Sequence, residues 1–87
     1  MNIVELKDIE REEGHIFYLR KYTANAVIEL PTETSQIPIS FSIETGPMGD
    51  KNINVKIRQT PNYPVLPLIA KLKTFILDND KEGLLPQ

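Results

Sequence analysis

The chain contains no cysteine, so no disulfide can staple it and no thiolate can hold a metal. That absence suits a reducing cytoplasm. Histidine occurs once, as His15, next to Gly14 and a run of acids. Histidine is a favoured general base, but no serine, cysteine or second histidine stands beside it, and an exposed turn residue is the reading adopted. No apolar run approaches the roughly 20 residues of a membrane-spanning helix. Residues 1–8 lack the basic start and long apolar stretch of a secretion signal. Glycine is scarce. The one cluster near a lysine, residues 46–51, lacks phosphate-loop spacing and joins two strand-like segments rather than opening a helix. No cofactor, no metal and no enzyme is expected, and no membrane.

The 87 residues fit a single domain spanning 1–87. A chain of this size buries only roughly 60–65% of its unfolded surface, so its stability margin is thin. Charge is distributed unevenly. Residues 22–50 hold four acids and no base, whereas residues 51–77 hold five bases and no acid. This polarity is the main electrostatic feature of the sequence.

Hydrophobic periodicity sets the expected fold. Residues 2–9 form a strand of mixed alternation, and 11–14 read as a turn. In residues 15–30 the even positions run Ile16, Tyr18, Arg20, Tyr22, Ala24, Ala26, Ile28, Leu30, and Arg20 alone breaks the apolar line. That period of two argues for one long strand with a bulge or bend, or for two strands split near Lys21–Thr23. Residues 36–45 alternate cleanly, with Ile37, Ile39, Phe41 and Ile43 on one side. Pro38 removes a ladder donor and points to an edge or a bulge. Residues 52–59 alternate again, with Ile53, Val55 and Ile57 inward. The period then changes: Val65, Leu68, Ile69, Leu72, Phe75 and Ile76 form a helical stripe over 64–79, with Pro64 and Pro67 in or before its first turn. Asn79 or Gly83 caps its end, and residues 83–87 form an apolar tail. The expectation is an α+β fold: a four-stranded antiparallel meander, five-stranded if 15–30 splits, closed on one face by one C-terminal helix. A carboxylate in place of Ile43 should unfold it.

Three motifs have simpler explanations. Asp8, Glu10 and Glu12 share a strand face, but alternate residues stand nearly 7 Å apart at a rise of about 3.3 Å each, too far to converge on a cation. They read as a solvated edge. Residues 78–83 resemble the first half of a calcium loop, yet the twelfth-position glutamate would fall beyond Gln87. Residues 58–64 fit R-x-x-P-x-x-P, a pattern that can dock in aromatic grooves; steering the chain into the helix accounts for it as well. Met48 is expected at the exposed tip of a hairpin loop.

One helix covers one sheet face, so function is expected on the other. The candidate binding surface is Phe17, Leu19, Asn54, Lys56 and Arg58, with Val27 as a further apolar neighbour and Ser40 and Ser42 alongside. The leading expectation is a non-enzymatic interaction module that pairs with itself through this face. The alternative is single-stranded nucleic-acid binding by the same face and the basic segment 51–73. A bland option also exists, in which Lys56 and Arg58 pair across strands with Glu44 or Glu29. The order of four strands followed by a helix resembles the Pur repeat and the whirly domain. That likeness of element order, which no residue motif accompanies, is the fold-level support for nucleic-acid binding.

Overall fold

The computed structural model of the chain describes residues 1–14 and 18–86. It contains strands β1 (Asn2–Arg11), β2 (Leu19–Glu29), β3 (Thr34–Thr45) and β4 (Lys51–Ile57), followed by helix α1 (Val65–Lys81). The strands form one antiparallel sheet in the order β1-β2-β3-β4, and α1 closes one face, giving a two-layer α+β fold. The long dimension of 42 Å is close to the roughly 40 Å that twelve residues of extended chain such as β3 would span.

The inner face follows from alternation. Tyr22, Ala24, Ala26 and Ile28 of β2, Ile37, Ile39, Phe41 and Ile43 of β3, and Ile53 of β4 are all buried. The helix contributes Leu68, Leu72 and Ile76 from one stripe, while Lys71, Lys73, Thr74 and Asp78 face out. Each of these larger aliphatic side chains contributes about 1.5–3 kcal/mol by leaving water. The rings of Tyr22 and Phe41 stack with centroids 5.0 Å apart.

β2 is unbroken. Its register with β3 runs without a shift from Leu19 opposite Glu44 to Glu29 opposite Thr34. The expected split near Lys21–Thr23 is therefore absent, and so is a bulge against β3. The irregularity belongs to β1, where the pairing shifts between Ile3 and Glu5 and between Lys7 and Glu10. These two bulges explain the mixed alternation there: Ile3, Leu6 and Ile9 stand three apart, yet all pack against the core. Asp8 sits in the second bulge at φ 52°, a left-handed conformation that aspartate tolerates better than most residues. The bulge also breaks the alignment of Asp8 with Glu10 and Glu12. His15, Ile16 and Phe17, together with Gln87, lie outside the described residues.

Pro38 occupies an inner strand, contrary to a simple edge assignment. The ladder between β3 and β4 explains why it is tolerated. That ladder ends at Ile39 opposite Ile57, and just beyond it the Arg58 N–H donates to the Pro38 carbonyl at 2.9 Å. A strand residue directs its N–H and C=O to the same side. The donor that Pro38 lacks therefore points to where β4 has run out, and β3 is locally an edge there.

At its C-terminal end α1 finishes in a Schellman turn. The Gly83 N–H bonds the Asp80 carbonyl at 3.1 Å and the Leu84 N–H bonds the Asn79 carbonyl at 2.9 Å. Gly83 takes φ 72°, which glycine adopts without a Cβ penalty. The reversal sends Leu85 back into the core, where it is buried, while Leu84 stays exposed. Among the described residues, no helix is long and apolar enough to cross a membrane.

Candidate functional site

Two polar assemblies stand out, one on each face of the sheet. On the inner face, Arg20 interrupts the apolar row of β2 because it has a partner on the helix. Its guanidinium makes a forked contact with the Asp80 carboxylate at 2.9 and 3.2 Å. Lys51 at the start of β4 donates to the same carboxylate. Arg20 also donates to the Tyr22 hydroxyl at 3.3 Å, and that hydroxyl donates to the Pro86 carbonyl at 2.9 Å. The Asp80 side chain is 4% exposed. Two cations here meet the negative end of the helix dipole as well as the carboxylate.

The Arg20 hydrogen bond, helped by Lys51, holds the Asp80 carboxyl below the usual aspartate range against the opposing pull of burial. Hydrogen bonding to Asp80 likewise raises the Arg20 guanidinium above its ordinary value. Because the Asp80 value is depressed on folding, its contribution is fully present above the unfolded pKa and is lost as pH falls through the folded one. Wild type should therefore lose stability relative to Asp80→Asn as pH drops below about 4. Parallel stability–pH curves for the two proteins in urea melts would show that Asp80 carries no such linkage.

This cluster is structural in character. Its carboxylate is engaged by two cations, which also accounts for one acid of the calcium-like segment 78–83. Among the described residues no group of three or more metal-type ligands converges. His15 lies outside the described residues and is not part of the cluster as described.

The second assembly is the open face. Cross-strand register builds it in rungs. One rung reads Glu10, Thr23, Ser40, Lys56; the next toward the β3–β4 loop reads Lys21, Ser42, Asn54, with Glu12 bonded by its N–H to the Lys21 carbonyl at 2.8 Å. On the other side of the first rung lie Lys7, Asn25 and Pro38, with Asp8 accepting from Asn25 Nδ2 at 3.3 Å and Arg58 beside Pro38. A shallow groove of about 340 Å³ runs between Lys21, Ser40, Ser42, Asn54, Lys56 and Glu12.

The register brings Asn54, Lys56 and Arg58 onto this face, along with Leu19, which is half-buried at its end. Phe17 lies outside the described residues. Val27 is on this face but is only 8% exposed, set between Glu5 and Gln36. The expected apolar patch is therefore not formed by the described residues; the face is polar. The exposed large apolar side chains lie elsewhere, at Val4, Tyr18, Val65, Leu66 and Leu84 and at Met48, which is 91% exposed in the loop after β3. A larger hollow of about 610 Å³ between Tyr18 and residues 44–47 offers Glu44 and Tyr18 as its titratable groups, too few for an acid–base constellation.

Sequence reasoning missed how the charges divide across the open face. Glu5, Asp8, Glu10 and Glu12, with Lys7, line the β1 side, whereas Lys56 and Arg58 line the β4 side with no acid among them. Lys56 lies opposite Ser40, while Glu44 lies opposite Leu19 and Asn52, and Glu29 opposite Asn2 and Thr34. The bland cross-strand pairing is thus geometrically unavailable. Among the described residues the salt bridges are those of Asp80, and neither Lys56, Arg58 nor Glu10 takes part in one. The acid-then-base order along the sequence was the visible signal; the meander, which carries β1 and β4 to opposite edges, turns it into a split across the sheet.

Neither a curated protein nor a solved structure matches the chain. A family model does match, over residues 1–81, and it takes in all four strands and the whole of α1. The chain belongs to the BB-0187 family.

Proposed function

We propose that this chain is a non-enzymatic assembly module of the cytoplasm whose open sheet face binds a second copy of itself. The observation that carries this reading is the charge-split face, acidic along β1 and basic along β4, whose Lys56, Arg58 and Glu10 have no ion-pair partner among the described residues. Complementary potentials of this kind favour and orient association. Four strands about 4.8 Å apart and roughly ten residues long present a face of order 600 Å² per protomer, near the lower end of specific interfaces. Small side chains in its middle, Thr23, Ser40 and Ser42, allow a partner to approach closely. A polar face of this size gives a dimer weakened by salt. Sedimentation equilibrium should show dimers at high micromolar concentration in low salt and a shift toward monomer in high salt. A monomer throughout would sink the reading.

The second reading is single-stranded nucleic-acid binding, favoured by Lys21 and Lys56 flanking the serine-lined groove with Arg58 nearby. The element order shared with the Pur repeat and the whirly domain belongs with it. The acids along β1 and the net charge of −2 weigh against strong phosphate affinity. A labelled oligonucleotide whose anisotropy rises on titration at low salt, with the protein remaining monomeric, would favour this reading over self-association.

A further inference from the structure

The geometry points to one arrangement of the pair: we infer that the two copies stack open face to open face about a two-fold axis parallel to the strands, so that Glu10 of each chain meets Lys56 of the other. The inference rests on the self-association reading and specifies it.

Two copies can stack face to face about an axis lying in the interface, and the sheet offers two principal directions. An axis running across the strands lays β1 on β1 and β4 on β4. It sets Glu5, Asp8, Glu10 and Glu12 against their own copies and Lys56 and Arg58 against theirs, so like charges meet at both rims. An axis along the strands, between β2 and β3, lays β1 on β4 and β4 on β1. Each acidic rim then meets a basic one, twice by symmetry.

Register selects the contact. A rotation about the strand direction leaves each rung at its own height. Glu10, Thr23, Ser40 and Lys56 share one rung, so Glu10 faces Lys56 of the second copy while Thr23 faces Ser40. On the adjoining rung Lys21 faces Ser42, whose small side chain leaves room for it. The rung of Asn25 carries both Lys7 and Asp8 on the β1 side and is close to neutral opposite Arg58. Stacked sheets cross at about 30° because each is twisted, and long side chains such as Glu and Lys take up the resulting offset at the rim. Both Glu10 and Lys56 are exposed in the single chain, so substitution there leaves the core intact.

Charge exchange tests the arrangement in the full chain by sedimentation equilibrium at low salt. Glu10→Lys alone places lysine against lysine at two symmetric contacts, and Lys56→Glu alone places glutamate against glutamate. Each is expected to weaken the dimer by about tenfold or more, as two reversed ion pairs warrant. An equimolar mixture of the two variants should form heterodimers, since both contacts then pair opposite charges, and the doubly exchanged chain should dimerise like wild type. Rescue by mixing cannot come from misfolded protein, and far-ultraviolet circular dichroism of each variant checks the fold directly. If wild type dimerises and both single variants dimerise equally well, the axis is wrong while self-association stands. If Glu10→Lys alone tightens the dimer, β1 packs against β1 and the axis runs across the strands, which overturns the inference. If wild type is monomeric, the underlying reading fails and this one with it.

Discussion

Ile39→Asp is expected to leave the chain unfolded at room temperature. Ile39 has no exposed surface and lies between Ala24 of β2 and Ile57 of β4, with no cation opposite it. Losing the isoleucine forfeits about 1.5–3 kcal/mol of burial. Placing a carboxylate there costs several kcal/mol more, whether the group stays charged or takes up a proton. A chain of this length has only about 4–13 kcal/mol of stability in all. Circular dichroism should show loss of the sheet signal and no cooperative melt. A cooperative melt near that of wild type would mean that this row of β3 is not the buried one. The corresponding change at Ile43 is expected to be milder, although Ile43 is equally buried, because its partner across β2 is Arg20. That guanidinium offers a nearby counter-ion, so the sequence-based expectation of unfolding is better tested at Ile39.

Arg20→Met should destabilise the fold by about 2–3 kcal/mol, less than the 3–5 typical of breaking a fully buried pair. The loss is smaller because Lys51 remains on Asp80 and because Arg20 is itself partly exposed. In a domain of this size that lowers the melting temperature by about 10–20 °C. The damage comes from what is left behind, a shielded carboxylate short of one cation and a Tyr22 hydroxyl short of one donor. Adding Asp80→Leu should therefore restore most of the loss, since two apolar groups replace a charged pair at little net cost. A urea midpoint for Arg20→Met that differed from wild type by less than about 0.5 kcal/mol, the range of a surface pair, would show that the cluster is solvated.

The parts of this fold that were legible in the sequence are those governed by local periodicity. Alternation over residues 37–43 and 53–57 marks the inner face, and the change to spacings of three and four after Tyr63 marks α1. The strand limits moved by a few residues because ladder bonds extend past the apolar core: Thr34 and Ser35 read as a turn yet pair with β2. What stayed hidden depends on partners distant in sequence. Arg20 was visible as a break in pattern, but its acid is 60 residues away. The bulges of β1 were disguised because a spacing of three looks like noise in a strand until the register shifts are known. Pro38 carried the right physical signal, a missing donor, but where β4 stops cannot be read from β3. On the open face, Asn54, Lys56 and Arg58 were placed correctly by parity, whereas Val27 looked exposed because nothing in its own strand reveals cover from Glu5 and Gln36.

The return of Leu85 to the core has a consequence for vectorial synthesis. The sheet can pair as soon as β4 emerges, but its apolar side is then bare. The helix that covers it comes afterwards, and the turn at Gly83 brings in the last buried side chain later still. At roughly 5–20 residues per second, the stretch from Ile53 to Leu85 takes a few seconds to make. Throughout that interval the growing chain carries a row of isoleucines, 37, 39 and 43, with nothing of its own to lay over them.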